Sequence, residues 1–560
     1  MIRSFIRAGA LAGVVVLAAC DLAVQNPNQP ETERVLKTPA DVEALLGTQY
    51  LRWHTGMYGA LGSVWGQSMV QSFENFSSLS NNCMGQRVGI PRPANDNAVG
   101  NGCGGDQLRV YSIENEVART SSNILARLNA ADFTLGSAAQ DARARAFAEF
   151  LRGMSLGYVA LTYDSGTVVT PDLGPEDPGE LVGYQEVMAG ALDALQAAID
   201  AATTSASGAN GFPLPSTWLP GPTSMTSAEF VKLIRSYRAR FRAAVARTPA
   251  ERAAVNWDAV IADAQAGITE DHYNTTNTVS GPFKSWVAQL HTFGTWHQMT
   301  PFVIGMADKS GSYATWVATP LDDRSADGTP FFMITDDLRF PQGATRAAQQ
   351  ADFQVSSCSA AGAVCARYFR NRPTGNDIKA GPSWGWSNYD FVRYYPWRTS
   401  GNGTGQNGDL PFFLKAELDL LEAEGQFRKG NFAAAAALVN KTRVDHGGLP
   451  PITAFDATSP VPGGDACVPK VPVGPSYSTV ACGNLFEAIK YEKRIETIQT
   501  HFMAWLIDMR GWGDLAEGTG VHWAVPYQDL QARGRVGNEI YSTGGTGGNS
   551  GAAAKGTYGW

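Results

Sequence analysis

Charge is scarce in this chain of 560 residues. Only 17% of them are Asp, Glu, Lys or Arg, and acidic residues outnumber basic ones, 52 to 44. No basic stripe runs along the sequence, which argues against a nucleic-acid partner. Beyond residue 19 no apolar run approaches the roughly 20 residues that a membrane-spanning helix needs. The seven histidines form no H-E-x-x-H pair, and no C-x-x-C occurs. No D-x-[DN]-x-[DN]-G loop is present either. Zinc, calcium and other cofactors are therefore not expected. Gly (60), Pro (30) and Trp (14) are plentiful instead. That mixture predicts helices joined by long, ordered loops rich in aromatic residues.

The chain opens with a short positive stretch, Arg3 and Arg7, then an apolar core from Ala8 to Ala19. Residues 1–19 read as a secretory signal rather than an anchor, because the core is too short to span a bilayer. Leu17-Ala18-Ala19-Cys20 resembles a bacterial lipobox, in which the cysteine sulfur is acylated and becomes the new N-terminus. The rival reading is an ordinary signal peptide with a chance cysteine. Several acyl chains on Cys20 would give lasting membrane attachment. Residues 20–35, rich in Asn and Pro, then serve as the tether. Six further cysteines fall into three local groups, Cys83 with Cys103, Cys358 with Cys365, and Cys467 with Cys482. An even remainder in an exported chain predicts disulfides, with connectivity open.

Helical pairs recur along the body. In "PFFLKAELDLLEAEGQFRKGNFAAAAALVNKTRVDHGGLP", Leu414, Leu418, Leu421 and Gly425 share one helix face. "RKGN" makes a turn, and Phe432, Ala435, Ala436 and Val439 mark the face of a second helix. Gly447-Gly448 stops it. Such a pair, near 411–446, resembles a tetratricopeptide unit. Weaker copies are expected near 36–130, 141–203 and 227–268. The class predicted is mainly α. Two stretches, about 270–410 and 449–482, lack helical periodicity and read as loop-rich insertions. A closing helix and C-terminal segment fill 485–560.

An ordered series of motifs resembles the SusD/RagB-type outer-membrane nutrient-binding lipoproteins. Cys20-Asp21-Leu22 followed by Asn26-Pro27-Asn28 is similar to the family's start. "FAEFLRGMSLGYVALTYDSGTVV" resembles its helix and exit, and the 411–446 pair resembles its most recognisable helices. "LFEAIKYEKRIETIQTHFMAWLIDMRGWGDL" resembles the closing signature, with Glu492, Arg494, Glu496, Asp508, Arg510, Trp512 and Gly513 in register. Ala504 and Thr497-Ile498 depart from the pattern, as does the glycine-rich C-terminus. The resemblance implies one helical domain over 36–560, with tetratricopeptide-like pairs supporting a loop-rich ligand face. It implies a lipid-anchored protein of the outer membrane, exposed at the cell surface, that performs no chemistry. Its partners would be a glycan or peptide ligand and a SusC-like, TonB-dependent transporter.

Sugar binding needs flat aromatic faces beside polar groups. In "WGWSNYDFVRYYPWR" most rings read as core, but Trp384 and Trp386 look loop-like, and Tyr389 lies close by. Trp286 and Trp296 in the middle, and Trp65 and Asn75 in the first third, complete the candidates. The opposing reading is a lipoprotein hydrolase acting on polysaccharide. Gly153-Met154-Ser155-Leu156-Gly157 spells G-x-S-x-G, yet its flanks look helical on both sides, unlike a nucleophile elbow. Asp322-Asp323 and Asp336-Asp337 are the acid pairs that such an enzyme could use.

Overall fold

The computed structural model describes residues 35–60, 62–76, 82–174, 177–204, 211–221, 223–277, 283, 298–354, 358, 365, 367–375, 381–399, 407–535 and 552–560. Helices dominate, as expected. The longer ones are α1 (Pro39–Tyr58), α2 (Val64–Gln71), α3 (Gly104–Asn129), α4 (Ala138–Thr162), α5 (Tyr184–Thr203) and α6 (Ser227–Ala244), followed by α7 (Trp257–Gln265), α8 (Lys415–Arg428), α9 (Phe432–Asp445), α10 (Leu485–Thr497) and α11 (Ala504–Trp512).

Local chemistry sets many of the starts. Thr38 accepts the Asp41 N–H ahead of α1, whose first residue is Pro39. Ser137 and Asn484 do the same for α4 and α10. Before α6, Thr226 and Glu229 form a reciprocal capping box. Between α8 and α9 the turn passes through Gly430 at φ 79°, a conformation that costs glycine nothing.

The helices stack in chain order. α1 packs on α3, α3 on α4, α4 on α5, α5 on α6, and α6 on α7 and α8; α8 then meets α9 and α10. This is the expected series of tetratricopeptide-like pairs. Small residues let the layers close up. A Cβ at Gly153 would lie 2.7 Å from Leu195 of α5, and one at Gly157 would run into the Phe241 ring of α6. Gly425 plays the same part between α8 and Ile261 of α7. A single large apolar core runs through this array, and a smaller one, containing Leu420, Ala435, Ala436, Val439 and Ile489, unites α8, α9 and α10.

Strands are short and paired. They are β1 (Ser165–Gly166) with β2 (Val182–Gly183), β3 (His272–Asn277) with β6 (Asn407–Phe413), β4 (Phe369–Asn371) with β5 (Tyr389–Phe391), and β7 (Lys470–Val473) with β8 (Thr479–Cys482). All four pairs are antiparallel. The described part of the stretch between β3 and β6 forms a loop layer against the array. It holds short helices at Pro301–Ile304, Ser312–Ala318, Arg346–Asp352 and Tyr395–Thr399, each too brief to show periodicity. The six cysteines are joined as Cys83–Cys103, Cys358–Cys365 and Cys467–Cys482.

Candidate functional site

A cavity of about 350 Å³ opens where the array meets the base of β3. The first half of α6, residues 219–221 with Thr223 and Met225 in the turn before it, and residues 268–273 surround it. The capping box fixes the start of α6, and Leu214 pairs with Met225 to hold the turn. Asp271 accepts the Lys415 backbone N–H at 2.8 Å, which ties the base of β3 to the first residue of α8. The walls carry the half-buried Tyr273 ring, Lys232, Glu229 and Glu270, with Met225 and Ile268 as apolar surface. Glu229 is occupied by the cap, since its Oε2 accepts from the Thr226 N–H (2.8 Å) and hydroxyl (2.7 Å). Lys232 forms no ion pair among the described residues. An aromatic ring, an ammonium and a carboxylate in one concavity suit a polyhydroxylated ligand. β3 ends at Asn277, immediately before the stretch that carries Trp286 and Trp296. Those two tryptophans lie outside the described residues, as do Cys20, His291 and His297.

The other aromatic candidates are placed differently from expectation. Trp65 is 1% exposed and stands edge-on to Tyr58 at 5.1 Å, inside the core. Trp384 is 4% exposed, wedged between Phe76 (5.8 Å) and Phe302 (5.5 Å). Tyr389 is buried, and its hydroxyl accepts the Met333 N–H at 3.1 Å. Asn75 is buried as well, with its N–H on the Met69 carbonyl. These four have no free face for a ligand, which corrects the expectation that they line a binding surface. Their glycine and serine neighbours suggested exposure, but Gly381 and Gly385 are there so that the chain can pack on the Phe76 ring. Trp386 is half-buried and keeps part of its surface. The fold does bring the first-third and later regions together. Phe76 bridges to Gln298, and Gln298 to Asp390.

The residues of the closing signature form a buried ionic seam. Arg339 of the loop layer binds Asp337 at 2.8 Å, Glu492 at 2.7 Å and Glu496 at 3.1 Å. Tyr491 donates to Asp337 (2.8 Å), Tyr368 to Glu496 (2.9 Å), and Arg393 pairs with Glu496 (3.2 Å). Burial opposes the Glu496 charge, but Arg393, His446 and Arg339 together hold its carboxyl at about 2. Arg494 pairs with Asp514, and Lys493 with Asp508 (2.7 Å). The Trp512 indole N–H donates to Glu424 at 3.1 Å, and Gly513 ends α11 at φ 79°. Arg339, Tyr368 and Arg393 thus hold the loop layer to α10, while the Arg494, Lys493 and Trp512 contacts join α8, α10, α11 and Asp514.

The hydrolase motifs are dispersed. Ser155 sits mid-helix in α4, fully buried, with no strand before it. Asp337 is locked on Arg339, while Asp336 faces solvent beside Lys309. Asp322 and Asp323 lie on an exposed single turn. Sequence reasoning missed Lys232, Glu270 and Tyr273, and only the β-prone "HYNTTN" of β3 signals that the chain changes character there.

No protein-family model matches the sequence, and no curated protein matches it. Solved structures are similar along most of the chain. A SusD superfamily protein from Bacteroides vulgatus is 14% identical, covering 89% of this chain and 90% of that one at a TM-score of 0.42. A SusD homolog from Parabacteroides distasonis is 13% identical over 87% of each chain, at 0.49. A laminarin-binding SusD-like protein is 12% identical over 88% of this chain and 97% of its own, at 0.46. At such identities and scores the similarity carries no statement about ligand.

Proposed function

We propose that this chain is a SusD-type binding lipoprotein. It captures a glycan at the cell surface and passes it to a TonB-dependent outer-membrane transporter, without catalysis. One observation carries the reading. Three motifs that resemble the family fall in order on α4, on the α8–α9 pair and on α10–α11, and the closing signature supplies buried carboxylates that hold a loop-rich layer. The Leu-Ala-Ala-Cys junction supports membrane mooring through Cys20. Contacts to the glycan are assigned to Tyr273 and Lys232 at the 350 Å³ cavity, with Trp386, Trp286 and Trp296 as further aromatic faces.

Affinity electrophoresis through a panel of neutral polysaccharides, with reducing ends assayed in parallel, tests this. At least one polysaccharide is expected to retard the protein while no reducing ends appear. Tyr273→Ala should weaken that retardation several-fold with the melting temperature unchanged. Steady release of reducing ends would favour the hydrolase. Binding of peptides with no polysaccharide retained would move the cargo to the peptide class.

A further inference from the structure

A second cavity, of about 560 Å³, lies between the turn at 247–249, the 510–521 segment, the tip of the β7–β8 hairpin and residues 552–557. Its charge is of one sign. Arg247, Arg510 and Lys555 line it, and none of the described lining residues is acidic. The cavity at β3 differs, because two glutamates and an aspartate share its wall with Lys232.

Both arginines are 2% exposed. Arg510 donates to the carbonyls of Leu161 (2.9 Å), Val521 (2.7 Å) and Ala244 (2.8 Å). Arg247 donates to Ala160 (2.6 Å) and Tyr163 (2.7 Å) and meets the His522 ring nitrogen. Several of these carbonyls belong to the last turns of α4 and α6, so capping of helix ends explains part of the arrangement. It does not neutralise the charge. Neither arginine forms an ion pair among the described residues, and each leaves its Nε without an acceptor there. The nearby carboxylates are engaged elsewhere. Glu251 accepts the Arg247 backbone N–H (2.8 Å) and the Tyr184 hydroxyl (2.9 Å), and Asp164 accepts the Val525 N–H (3.1 Å). Burial pushes the Arg247 guanidinium down to about 10 and holds Arg510 well below the usual arginine range. The fields of Glu251 and Asp164 offset part of the charge, but among the described residues no carboxylate contacts either guanidinium directly, and an anion entering the cavity would add to that compensation.

The space is larger than a single oxyanion requires and falls within the roughly 300–1,000 Å³ of small-molecule sites. Leu515 and Val521 give it apolar walls, and the half-buried Tyr477 ring gives it an aromatic one. Gly559 packs on Tyr477, so the ring is backed from one side. Tyr477 also lines an adjoining cavity of about 390 Å³, which extends the space for a ligand of more than one sugar.

We propose that this cavity binds an acidic saccharide, whose carboxylate or sulfate group is held by Arg247, Arg510 and Lys555 and whose ring lies against Tyr477. The saccharide part rests on the glycan-binding reading; the anion part does not.

Titration calorimetry at low salt on the full chain tests it, with digalacturonate, a monosulfated disaccharide, a neutral disaccharide and sodium sulfate as probes. At least one acidic disaccharide should bind tenfold or more tightly than the neutral one, and added salt should weaken it. Lys555→Glu, at an exposed position, should lower that affinity about tenfold with an unchanged melting temperature. Equal affinity for neutral and acidic disaccharides, absence of binding by both acidic ones, or an unaffected Lys555→Glu variant would overturn the proposal. Sulfate bound as tightly as the disaccharides would overturn its saccharide part. If a neutral polysaccharide is retained in electrophoresis while neither acidic disaccharide binds, this site fails and the broader function stands.

Discussion

The front of the helix array and its back are held together by different chemistry. Between α4, α5 and α6 small and apolar residues set the close approaches, as at Gly153 against Leu195 and Gly157 against Phe241, with Arg238 to Gln196 and Arg240 to Tyr158 as polar links. At the back, where α8, α10 and α11 face α6 and the loop layer, buried ion pairs dominate. Arg252 binds Glu424 (2.5 Å) and Asp508 (3.1 Å), Arg240 binds Glu417 (2.6 Å), and Arg339 gathers three carboxylates. Apolar packing tolerates repacking and specifies geometry loosely, whereas a buried ionic group must keep every partner. The difference teaches that the array is built to be stable, and the seam is built to fix an irregular layer in one arrangement.

The sharpest way to break the comparison is Arg339→Met. It leaves Asp337, Glu492 and Glu496 buried without their common cation, and is expected to cost about 3–5 kcal/mol in denaturant unfolding. The loop layer should become sensitive to protease before α3 to α6 do; simultaneous loss of both would erase the distinction between front and back. Gly157→Ala comes next. Its new methyl would meet the Phe241 ring, and about 1–3 kcal/mol should be lost. That loss should not depend on salt or pH, since no ion is touched.

The third effect is one of pH, where Glu74 meets the segment between α10 and α11. Glu74 is fully buried and accepts the Gln499 N–H at 2.5 Å. Burial outweighs the backbone N–H groups of Gln499 and Trp505 and pushes its carboxyl up to about 8, from 4.5. A carboxyl whose pKa is raised on folding supports the fold fully below its unfolded value and withdraws that support as pH rises towards the folded one. Wild-type stability should therefore decline between about pH 4.5 and 8 through this group. Glu74→Gln should flatten the decline, gaining stability relative to wild type at pH 8 compared with pH 5. Parallel profiles for the two proteins would contradict it.

The array was legible because its signal is local. Leu414, Leu418 and Leu421 repeat at helical spacing, and all are buried. The cysteine groups were legible for the same reason, each pair lying within 20 residues. The seam was not, because Arg339 and Glu492 stand 153 residues apart and Arg252 and Glu424 172 apart. No local pattern pairs them. Three of the aromatic candidates, Trp65, Trp384 and Tyr389, proved to be core for a similar reason. Trp384 has the neighbours of an exposed loop, and only the distant Phe76 and Phe302 turn it into core. The cavity at β3 escaped notice because its residues come from two separated segments, 219–233 and 268–273.

Hydrogen exchange with and without the retained polysaccharide tests the central claim most directly, that the array is a scaffold and the irregular face takes the ligand. The account predicts slowed exchange in 219–225 and 268–277, with α3, α4 and α5 unchanged. Slowed exchange confined to α3, α4 and α5, or no change anywhere at saturating polysaccharide, would contradict it.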